Sequence, residues 1–484
     1  MSRRLLAGLV GAVILAAPLP VLAQRAATLS FSELGLGTIP SRVGALASDR
    51  TNQVWVGTDQ GVSGVQGDRR APFFPFRAND GLLANDVRAV TFGQLGTDEN
   101  FFLGFSNGVQ YGRLLSTSGL SLAGSLLAGV AQDGRNLVND LASDGAERVW
   151  AATAGGLVEW DISGQTPTLG TTFLASAAPF LRVAVAPWEG DRAAVASAGR
   201  ELFLVRTTSP SAPASFFTAN AAVADLNFDP AGNLWALSAG RDVVRFNAAF
   251  DPTSGQGSFP TRSDFAIDVS PLRAMLALAV DPFTGTVWVG TDLGAYFQTP
   301  LGGTLASRVC GGGDEPGAGC WALDTTPNFT QADRVDRIHA DPSGNTWFGT
   351  NRGLRGRIVR LLSLDSSTYL GGGAQAVVSL EDLPGFAGNE ETDTATVEVN
   401  VGTASTTLEA LEEGDSGRFT FSVRLADVAD VPGSDGVDVS VEYAFLDPDR
   451  LERTLVARGR WANIVSFEDD LWIGGLCFLE ALRR

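Results

Sequence analysis

The chain has 484 residues, of which 57 are glycine and only 18% are charged. This length allows a large core, and this composition favours strands and turns over exposed helices. The net charge is −19 and every basic residue is an arginine, which argues against a nucleic-acid partner. One histidine and no lysine exclude histidine-rich metal sites and lysine-dependent phosphate loops.

The N-terminus has the pattern of a targeting segment. Arg3 and Arg4 precede an apolar run from Leu5 to about Leu19, and residues 21–23 (VLA) fit a small-residue cleavage site. We therefore predict a signal peptide over residues 1–23 and an exported protein, either periplasmic or at the cell surface. The remaining sequence has no stretch long and apolar enough to span a bilayer.

A sequence repeat follows the signal peptide. Each copy places Val, Leu or Ile, Asp and Trp at offsets 0, 3, 6 and 12, and the copies are spaced by roughly 40 to 60 residues. That spacing is typical of one four-stranded propeller blade. The seven copies comprise four clear ones starting at Val43, Val138, Val223 and Val335, one with an inserted residue starting at Met275, and two degenerate ones at Val87 and around Val183.

Each copy predicts a meander of short strands. In the last copy, "VDRI" reaches the turn "ADPSGN", "TWFGT" forms a second strand, and "NRG" turns the chain into a third. A blade cannot bury both faces alone, so the ring has to close. The segment 28–34 (TLSFSEL) resembles the missing fourth strand of the last blade. The prediction is an all-β fold with a seven-bladed β-propeller over residues 28–365, in which 28–34 completes the last blade.

The pattern V-x-x-[LI]-x-x-D-x-x-G-N-x-W-[VF]-G-T-x-x-G-L resembles the two-component regulator propeller repeat. The stretch "FFPFRANDGLLANDVRAV" at 73–90 resembles the join between blades in that family. The resemblance covers residues 28–365. It implies a periplasmic sensor-type propeller that binds a ligand, often a glycan fragment. The sequence contains no kinase or DNA-binding module, so only the ligand-binding role is carried over.

The C-terminal part differs in charge and in pattern. From Ala374 onward there are 22 acidic residues and 8 arginines. Three segments alternate polar and apolar residues, as half-buried strands do. We predict an immunoglobulin-like β-sandwich over 374–468, which resembles Ig-like repeats of bacterial surface proteins, and a tail over 469–484 that ends in a packed strand or short helix. The alternating segments are 394–401, 417–425 and 435–445.

The cysteines predict one disulfide. Cys310 and Cys320 flank a glycine-rich loop in an exported protein, which favours a bond that closes this loop. A metal-binding pair is the weaker alternative because no histidine is near. Cys477 is left over, as a buried thiol or an intermolecular link.

Few residues could carry catalysis or bind a metal. His339 is the single histidine, and any Ser-His-Asp arrangement would have to use it. It lies on the first strand of the last copy, and a structural role is the main interpretation. Asp229, Asp281 and Asp341 in the first turns could bind calcium, but no copy completes an EF-hand pattern. We predict no cofactor and leave calcium as an open alternative.

The topology predicts which face binds a ligand. The turn between the second and third strands of a blade lies on the same face as the joins between blades, and loops on rigid scaffolds often carry binding sites. Arginine, aspartate and asparagine suit sugar hydroxyls and carboxylates. The candidate ligand-binding residues are Asp59, Gln60, Arg77, Asn79, Asp80, Ser106, Asn107, Arg241, Asp242, Asp292, His339, Asn351 and Arg352.

These features predict an exported, non-enzymatic binding protein that recognises a glycan or a protein partner at the cell envelope. One alternative is an enzyme, a hydrolase or lyase that uses carboxylates or calcium, acting at the mouth of the propeller channel. Another is a structural surface protein, with the sandwich as a spacer and the tail as an anchor.

Overall fold

The computed structural model describes residues 25 to 463, apart from internal gaps. Four predicted features lie outside the described residues: the signal peptide 1–23, Arg241, Cys477 and the tail 469–484. The gaps are 38–41, 50–52, 66–71, 97, 117–118, 128–133, 174–178, 189–192, 207–214, 240–241, 252–253, 255, 268–273, 283, 301–303, 312–313, 315–316, 325–332, 342–343, 359–360, 367, 382–392, 415–416, 434–435 and 447–451.

The fold is all-β, and the described part of the chain contains no α-helix, only two short 3-10 helices at Ala78–Asp80 and Leu425–Asp427. The strands up to residue 358 are β1 (Arg25–Ser30), β2 (Val43–Ser48), β3 (Val54–Thr58), β4 (Gly61–Val65), β5 (Pro72–Phe76), β6 (Ala89–Leu95), β7 (Asp98–Phe105), β8 (Gly108–Ser116), β9 (Gly119–Leu126), β10 (Val138–Ser143), β11 (Arg148–Thr153), β12 (Gly156–Asp161), β13 (Thr168–Phe173), β14 (Phe180–Val185), β15 (Ala193–Ala198), β16 (Glu201–Arg206), β17 (Ser215–Thr218), β18 (Val223–Phe228), β19 (Leu234–Ser238), β20 (Asp242–Asp251), β21 (Gln256–Ala266), β22 (Met275–Val280), β23 (Val287–Thr291), β24 (Gly294–Gln298), β25 (Ala322–Leu323), β26 (Val335–Ala340), β27 (Thr346–Thr350) and β28 (Gly353–Ile358).

These strands form seven four-stranded antiparallel sheets within the described residues. Sheets 1 to 6 each use four consecutive strands, beginning with β2, β6, β10, β14, β18 and β22. Sheet 7 uses β26, β27 and β28, and its fourth strand is β1 from the other end of the chain. The first strands of successive sheets contact one another in order, and β26 contacts β2. The sheets therefore form a closed ring, which is the arrangement of a β-propeller.

The N-terminal strand joins the two ends of this ring. β1 pairs with β28 so that Leu29 lies opposite Leu354 and Arg25 opposite Ile358. The paired strand starts three residues before the 28–34 segment expected from the sequence. Phe31, Leu34 and Leu36 follow it in a turn and pack into the apolar core between sheets 7 and 1. We call this junction the seam.

Glycines allow adjacent sheets to approach closely. A Cβ built on Gly57 would lie 2.7 Å from Cγ1 of Val87 in the next sheet. The corresponding distance is 2.8 Å from Gly290 to Val335 and 2.6 Å from Gly349 to Val43 across the seam. Since side-chain carbons do not approach so closely, these positions require glycine, and an apolar cluster fills each of the seven junctions between sheets.

The repeated aspartate is part of a hydrogen-bonded turn. Asp341 Oδ1 accepts a hydrogen bond from the backbone N–H of Asn345 (2.9 Å), and its Oδ2 accepts one from Trp347 Nε1 (3.0 Å). Trp235 Nε1 donates to Asp229 Oδ2 in the same way, at 2.9 Å. The Asp-to-Trp spacing is therefore fixed by a bond between a buried indole and a turn carboxylate.

The threonine and glycine of "GT-x-x-G" close the second turn of each copy. Thr350 Oγ1 donates to the carbonyl of Gly353 at 2.9 Å, and Thr291 does the same to Gly294. Gly353 has a φ of 130°, a left-handed conformation that side chains disfavour. This stretch is a turn and not a phosphate loop.

An insertion in sheet 6 contains the disulfide. Cys310 and Cys320 are bonded, as predicted, with 5.0 Å between their Cα atoms. Trp321 follows directly and is fully buried, and Ala322–Leu323 then form the short fourth strand. The disulfide thus holds the inserted segment near the edge of sheet 6.

The C-terminal residues form two sheets around one apolar core. One sheet has the order β29-β31-β34 and the other β30-β36-β35-β32-β33. The alternating segments predicted from the sequence correspond to β32, β34 and β35. Strands before residue 374 also pair into these sheets. The strands are β29 (Leu361–Leu364), β30 (Thr368–Leu370), β31 (Gln375–Glu381), β32 (Thr394–Val401), β33 (Ala404–Leu411), β34 (Arg418–Arg424), β35 (Val437–Leu446) and β36 (Glu452–Ala462).

Candidate functional site

A cavity of about 400 Å³ lies at the centre of the ring, and we call it the mouth cavity. Its lining includes residues at or just before the start of the first strand of all seven sheets. Val87 N donates to Thr58 O, and Val223 N donates to Gly199 O. Each of these hydrogen bonds links two segments. One is the start of a first strand, and the other is the turn between the second and third strands of the preceding sheet. The mouth cavity therefore opens on the face that the topology predicted for binding.

A β-bulge shapes the lining of the cavity. In six of the seven first strands, the register shifts between the first residue of the strand and the third. Bulges redirect side chains, so two consecutive residues can contribute to the channel. The bulged residues, all of which line the cavity, are Gly44, Asn139, Leu181, Ala224, Leu276 and Asp336.

The mouth cavity is rich in arginine although the chain is strongly acidic. Five of its lining residues are arginines and one is an aspartate. Asp140 and Asp225 lie beside the bulged positions and add two further carboxylates. The positive groups still outnumber the negative ones in the wall of the site. The arginines are Arg42, Arg88, Arg182, Arg334 and Arg337.

Several charged groups of the wall are used to join neighbouring sheets. Asp140 Oδ2 accepts the backbone N–H of Val183 at 3.1 Å, and Asp225 Oδ2 accepts that of Leu278 at 2.8 Å. Arg337 Nε donates to the carbonyl of Gly44 at 2.8 Å, across the seam. These side chains hold the inner strands in place, which makes the cavity a rigid one.

Ion pairs neutralise two of the five arginines. Arg182 Nε lies 3.5 Å from Asp225 Oδ1, and Arg334 Nε lies 2.8 Å from Asp336 Oδ1. Arg337 donates its Nε hydrogen bond to the carbonyl of Gly44. These arginines therefore have structural partners, and Arg42 and Arg88 are left to consider.

Arg88 has only part of its hydrogen-bonding capacity satisfied. Its Nη2 donates to Asn139 Oδ1 at 3.1 Å, while its buried Nε has no hydrogen-bond partner among the described residues. Burial and then the nearby charge of Arg42 lower the pKa of Arg88. Arg88 and Arg42 are thus like charges close together, and the nearby carboxylate of Asp86 offsets only part of their repulsion. A bound anion would stabilise this combination.

Burial affects the other charged groups of the wall in the same way. It raises the pKa of Asp140, and burial together with the charge of Arg182 lowers the pKa of Arg337 to about 10. Both shifts disfavour the charged form. Electrostatic interactions in this wall are therefore weakly screened by solvent, and a bound charge would interact strongly with it.

Arg77 and its neighbours form a structural clamp on the predicted face. Arg77 Nη2 donates to the carbonyl of Gly35 at 2.7 Å, and its Nε donates to that of Gln60 at 3.3 Å. Asp80 Oδ2 accepts the backbone N–H of Arg77 at 2.9 Å. The structure brings Arg77, Gln60 and Asp80 together around the N-terminal turn, outside the mouth cavity.

Most of the other predicted turn residues form hydrogen bonds with neighbouring segments of the same chain. Asn107 Nδ2 donates to Leu83 O at 3.3 Å, and Asp242 Oδ2 accepts from Asn220 Nδ2 at 3.1 Å. Asn351 Oδ1 accepts the backbone N–H of Arg334 at 2.9 Å, which holds the last turn beside the cavity entrance. Ligand binding by these residues stays a prediction.

The remaining predicted residues are dispersed on their turns. Asn79 and Ser106 are exposed and Asp59 is half-buried. The side chain of Arg352 lies 3.6 Å from the buried carboxylate of Asp333. Asp292 Oδ1 is buried without a hydrogen-bond partner among the described residues. None of them lines the mouth cavity.

His339 does not line the mouth cavity. Its Nε2 lies 2.7 Å from Ser48 Oγ on the neighbouring sheet, and the histidine is partly buried. Burial lowers its pKa to about 4, so the ring is uncharged at neutral pH. The histidine thus joins two sheets at the seam, in line with a structural role.

The aspartates proposed for calcium are already bonded. Asp341 and Asp229 each receive the indole and amide donors of their own turn. Asp281 Oδ1 accepts the backbone N–H of Thr284 at 3.1 Å. Within the described residues, no group of three or more His, Cys, Asp or Glu side chains could hold a metal ion.

Sequence reasoning missed the arginine wall. The wall arises from positions around the first residue of each copy. Arg42 and Arg334 lie one residue before Val43 and Val335, whereas Arg88 and Arg337 lie one and two residues after Val87 and Val335. Charged residues at positions that are small or apolar in other copies were the available signal. The bulges in the other six sheets, which the repeat pattern does not reveal, also shape the lining, but Arg88 precedes a first strand that has no bulge.

Comparison with known proteins leaves the family open. No protein-family profile and no curated protein matches the sequence. None of the described residues forms a helix with the length and apolarity needed to cross a bilayer.

Solved structures that resemble this chain include the following three. The extracellular domain of a hybrid two-component system of B. thetaiotaomicron is 12% identical with a TM-score of 0.46, over 88% of this chain; the chain spans 56% of that structure. The WD40 β-propeller domain of Doa1 is 12% identical with a TM-score of 0.45, over 66% of this chain and 94% of that one. A chain of the mitotic checkpoint complex is 14% identical with a TM-score of 0.47, over 74% and 99%.

Proposed function

We propose that this protein is an exported, non-enzymatic binding protein: a seven-bladed β-propeller over about residues 28–365, followed by an immunoglobulin-like sandwich over about 374–468. Its ligand is a glycan, bound on the channel face at the cell envelope. The observation that carries the proposal is the mouth cavity, to which all seven sheets contribute.

The shape of the site supports a binding role. Its volume of about 400 Å³ is in the range of small-molecule sites, and its wall combines charged and polar side chains with apolar ones. Turns with exposed polar residues, such as Ser106 and Asn79, surround it on the same face. A glycan could place one sugar in the cavity and rest further sugars on these turns.

Export is supported by two independent features. The pattern of residues 1–23 is that of a signal peptide, and the bond between Cys310 and Cys320 suits an oxidising compartment. Fractionation of cells that express the full chain tests this part: the protein should be recovered from the periplasm or the cell surface, shortened by 23 residues. Recovery of the uncut chain from the cytoplasm would contradict it.

A glycan array tests the binding role. The mature protein, starting at Gln24, should bind a defined set of glycans, and soluble glycan should compete for binding. The matched control is the same protein heated until it unfolds. If the protein binds only a protein partner from the envelope, that partner takes the place of the glycan in the proposal. If it binds neither a glycan nor a protein, the proposed function is overturned.

A further inference from the structure

The mouth cavity carries an unusual combination of charge and hydrogen-bonding capacity. Arg42 and Arg88 lie in the wall without an ion pair among the described residues, and Asn139 bonds Arg88. Resting on the proposed function, we infer that the site takes an anionic sugar: the carboxylate of a uronic acid sits against Arg88 and Arg42, and Asn139 orients Arg88.

The chemistry of the wall favours a carboxylate. A guanidinium presents N–H groups in a planar fork that matches the two oxygens of a carboxylate. Arg42 and Arg88 both line the cavity, and Arg88 is held by the hydrogen bond from its Nη2 to Asn139 Oδ1, so their guanidinium groups can present such donors to a ligand. A carboxylate here would also relieve the repulsion between the two arginines.

The opposite side of the cavity suits the body of a sugar. Leu181, Val223 and Leu276 line it, and they give an apolar surface for the C–H groups of a pyranose ring. Asp336 adds an acceptor for sugar hydroxyls. A free organic acid would use the arginines but leave the apolar side uncovered, and for that reason we favour the sugar.

Calorimetric titration of the mature protein distinguishes the two sources of carboxylate. The probes are an oligogalacturonate, an oligosaccharide of neutral galactose of the same length, and citrate as a free acid. We expect binding of the oligogalacturonate, at least about tenfold weaker binding of the other two, and weakening by sodium chloride. Equal affinity for citrate would assign the site to free acids and overturn the sugar.

Two variants test the arginines directly. Arg88→Gln and Arg42→Gln should each weaken oligogalacturonate binding by about tenfold or more, because a hydrogen-bonded charge pair is lost. The matched control is Arg113→Gln, on the third strand of sheet 2, where the exposed Arg113 pairs with Asp98 at 2.6 Å. The control should leave the affinity unchanged within about twofold.

Thermal melting of each variant checks that the ring is intact. If Arg88→Gln unfolds, Arg42→Gln is the decisive variant. The side chain of Arg42 is exposed, so its replacement should disturb the fold less. Oligogalacturonate binding that neither substitution weakens would overturn the assignment. Binding of a neutral glycan or a protein, without binding of oligogalacturonate, would also overturn the assignment of an anionic sugar. That result would leave the proposed binding function standing.

Discussion

Ser48 Oγ and His339 Nε2 lie 2.7 Å apart and join sheet 1 to sheet 7 at the seam. His339 occupies the position where other copies carry Ala47, Ala142 or Ala279. The last sheet therefore uses a long polar side chain to reach its neighbour. We interpret this pair as a part of ring closure, together with the bond from Arg337 to Gly44.

The histidine should make stability depend on pH. Burial lowers the pKa of His339 to about 4, whereas an unfolded chain has a histidine pKa near 6.5. As the pH falls below about 6.5, the unfolded chain binds a proton that the folded chain does not. The stability present above pH 6.5 is therefore lost between about pH 6.5 and 4, at up to about 1.4 kcal/mol per pH unit.

Urea unfolding at pH 7 and pH 5 measures this loss. Between pH 7 and pH 5, the unfolding free energy of the wild type should fall by about 2 kcal/mol more than that of His339→Gln. Glutamine can still form a hydrogen bond with Ser48 but does not titrate. Carboxylates titrate in both proteins and cancel in the comparison. An equal loss in both would show that the histidine is not buried in its neutral form.

The hydrogen bond between a tryptophan and its turn aspartate should be measurable by a matched pair of substitutions. Trp347 and Trp288 are both about 1% exposed, but Trp347 donates to Asp341 whereas Trp288 Nε1 has no hydrogen-bond partner among the described residues. Trp347→Phe should cost about 1–3 kcal/mol more than Trp288→Phe, because it leaves a buried carboxylate short of a donor. Chemical denaturation of both variants checks the difference, and equal costs would contradict it.

The spacing of Asp and Trp has a physical origin that explains this pair. Asp341 and Trp347 are six residues apart and bond, whereas Asp281 and Trp288 are seven apart. The inserted residue moves the indole out of register with the carboxylate. In three of the four clear copies, the offset that identified the repeat in the sequence coincides with this hydrogen bond.

Much of the fold could be predicted because the repeat encodes local contacts. Gly349 recurs as Gly57, Gly104 and Gly290, and each of these glycines lies against a valine at the start of the next sheet. The start of the C-terminal sheets was harder to place. The change in charge and pattern placed that start at residue 374, but β29 and β30 come before it, and Gly371, with a φ of 80°, lies in the turn from β30 to β31.

The site was less predictable because it depends on contacts between sheets. The turn residues, such as Arg77 and Asn107, had the composition of a binding surface, and the structure shows that they hold adjacent segments. Arg88 and Arg182 are far apart in the sequence, and only the closed ring places them around one cavity.

The N-terminal strand should contribute to the stability of the whole ring. Leu29 lies opposite Leu354 and packs on the core at the seam. Leu29→Ala should cost about 2 kcal/mol, because it removes apolar contacts at the closing junction. The control is Leu169→Ala on β13, where the leucine is 60% exposed and its loss should change stability by less than about 0.5 kcal/mol. Equal effects in urea unfolding would mean that β1 does not close the ring.

The seam also offers the sharpest test of packing between sheets. Gly349→Ala would place a Cβ 2.6 Å from Cγ1 of Val43, and overpacking of this kind costs about 1–3 kcal/mol. Gly373→Ala is the control, because a Cβ there meets no atom within 4 Å. Combining Gly349→Ala with Val43→Gly should relieve the clash, because it removes both Cγ1 at 2.6 Å and Cβ at 2.7 Å, so that the double variant is more stable than the sum of the single costs by about 1 kcal/mol or more. Strict additivity in the unfolding free energies would show that the two residues do not meet.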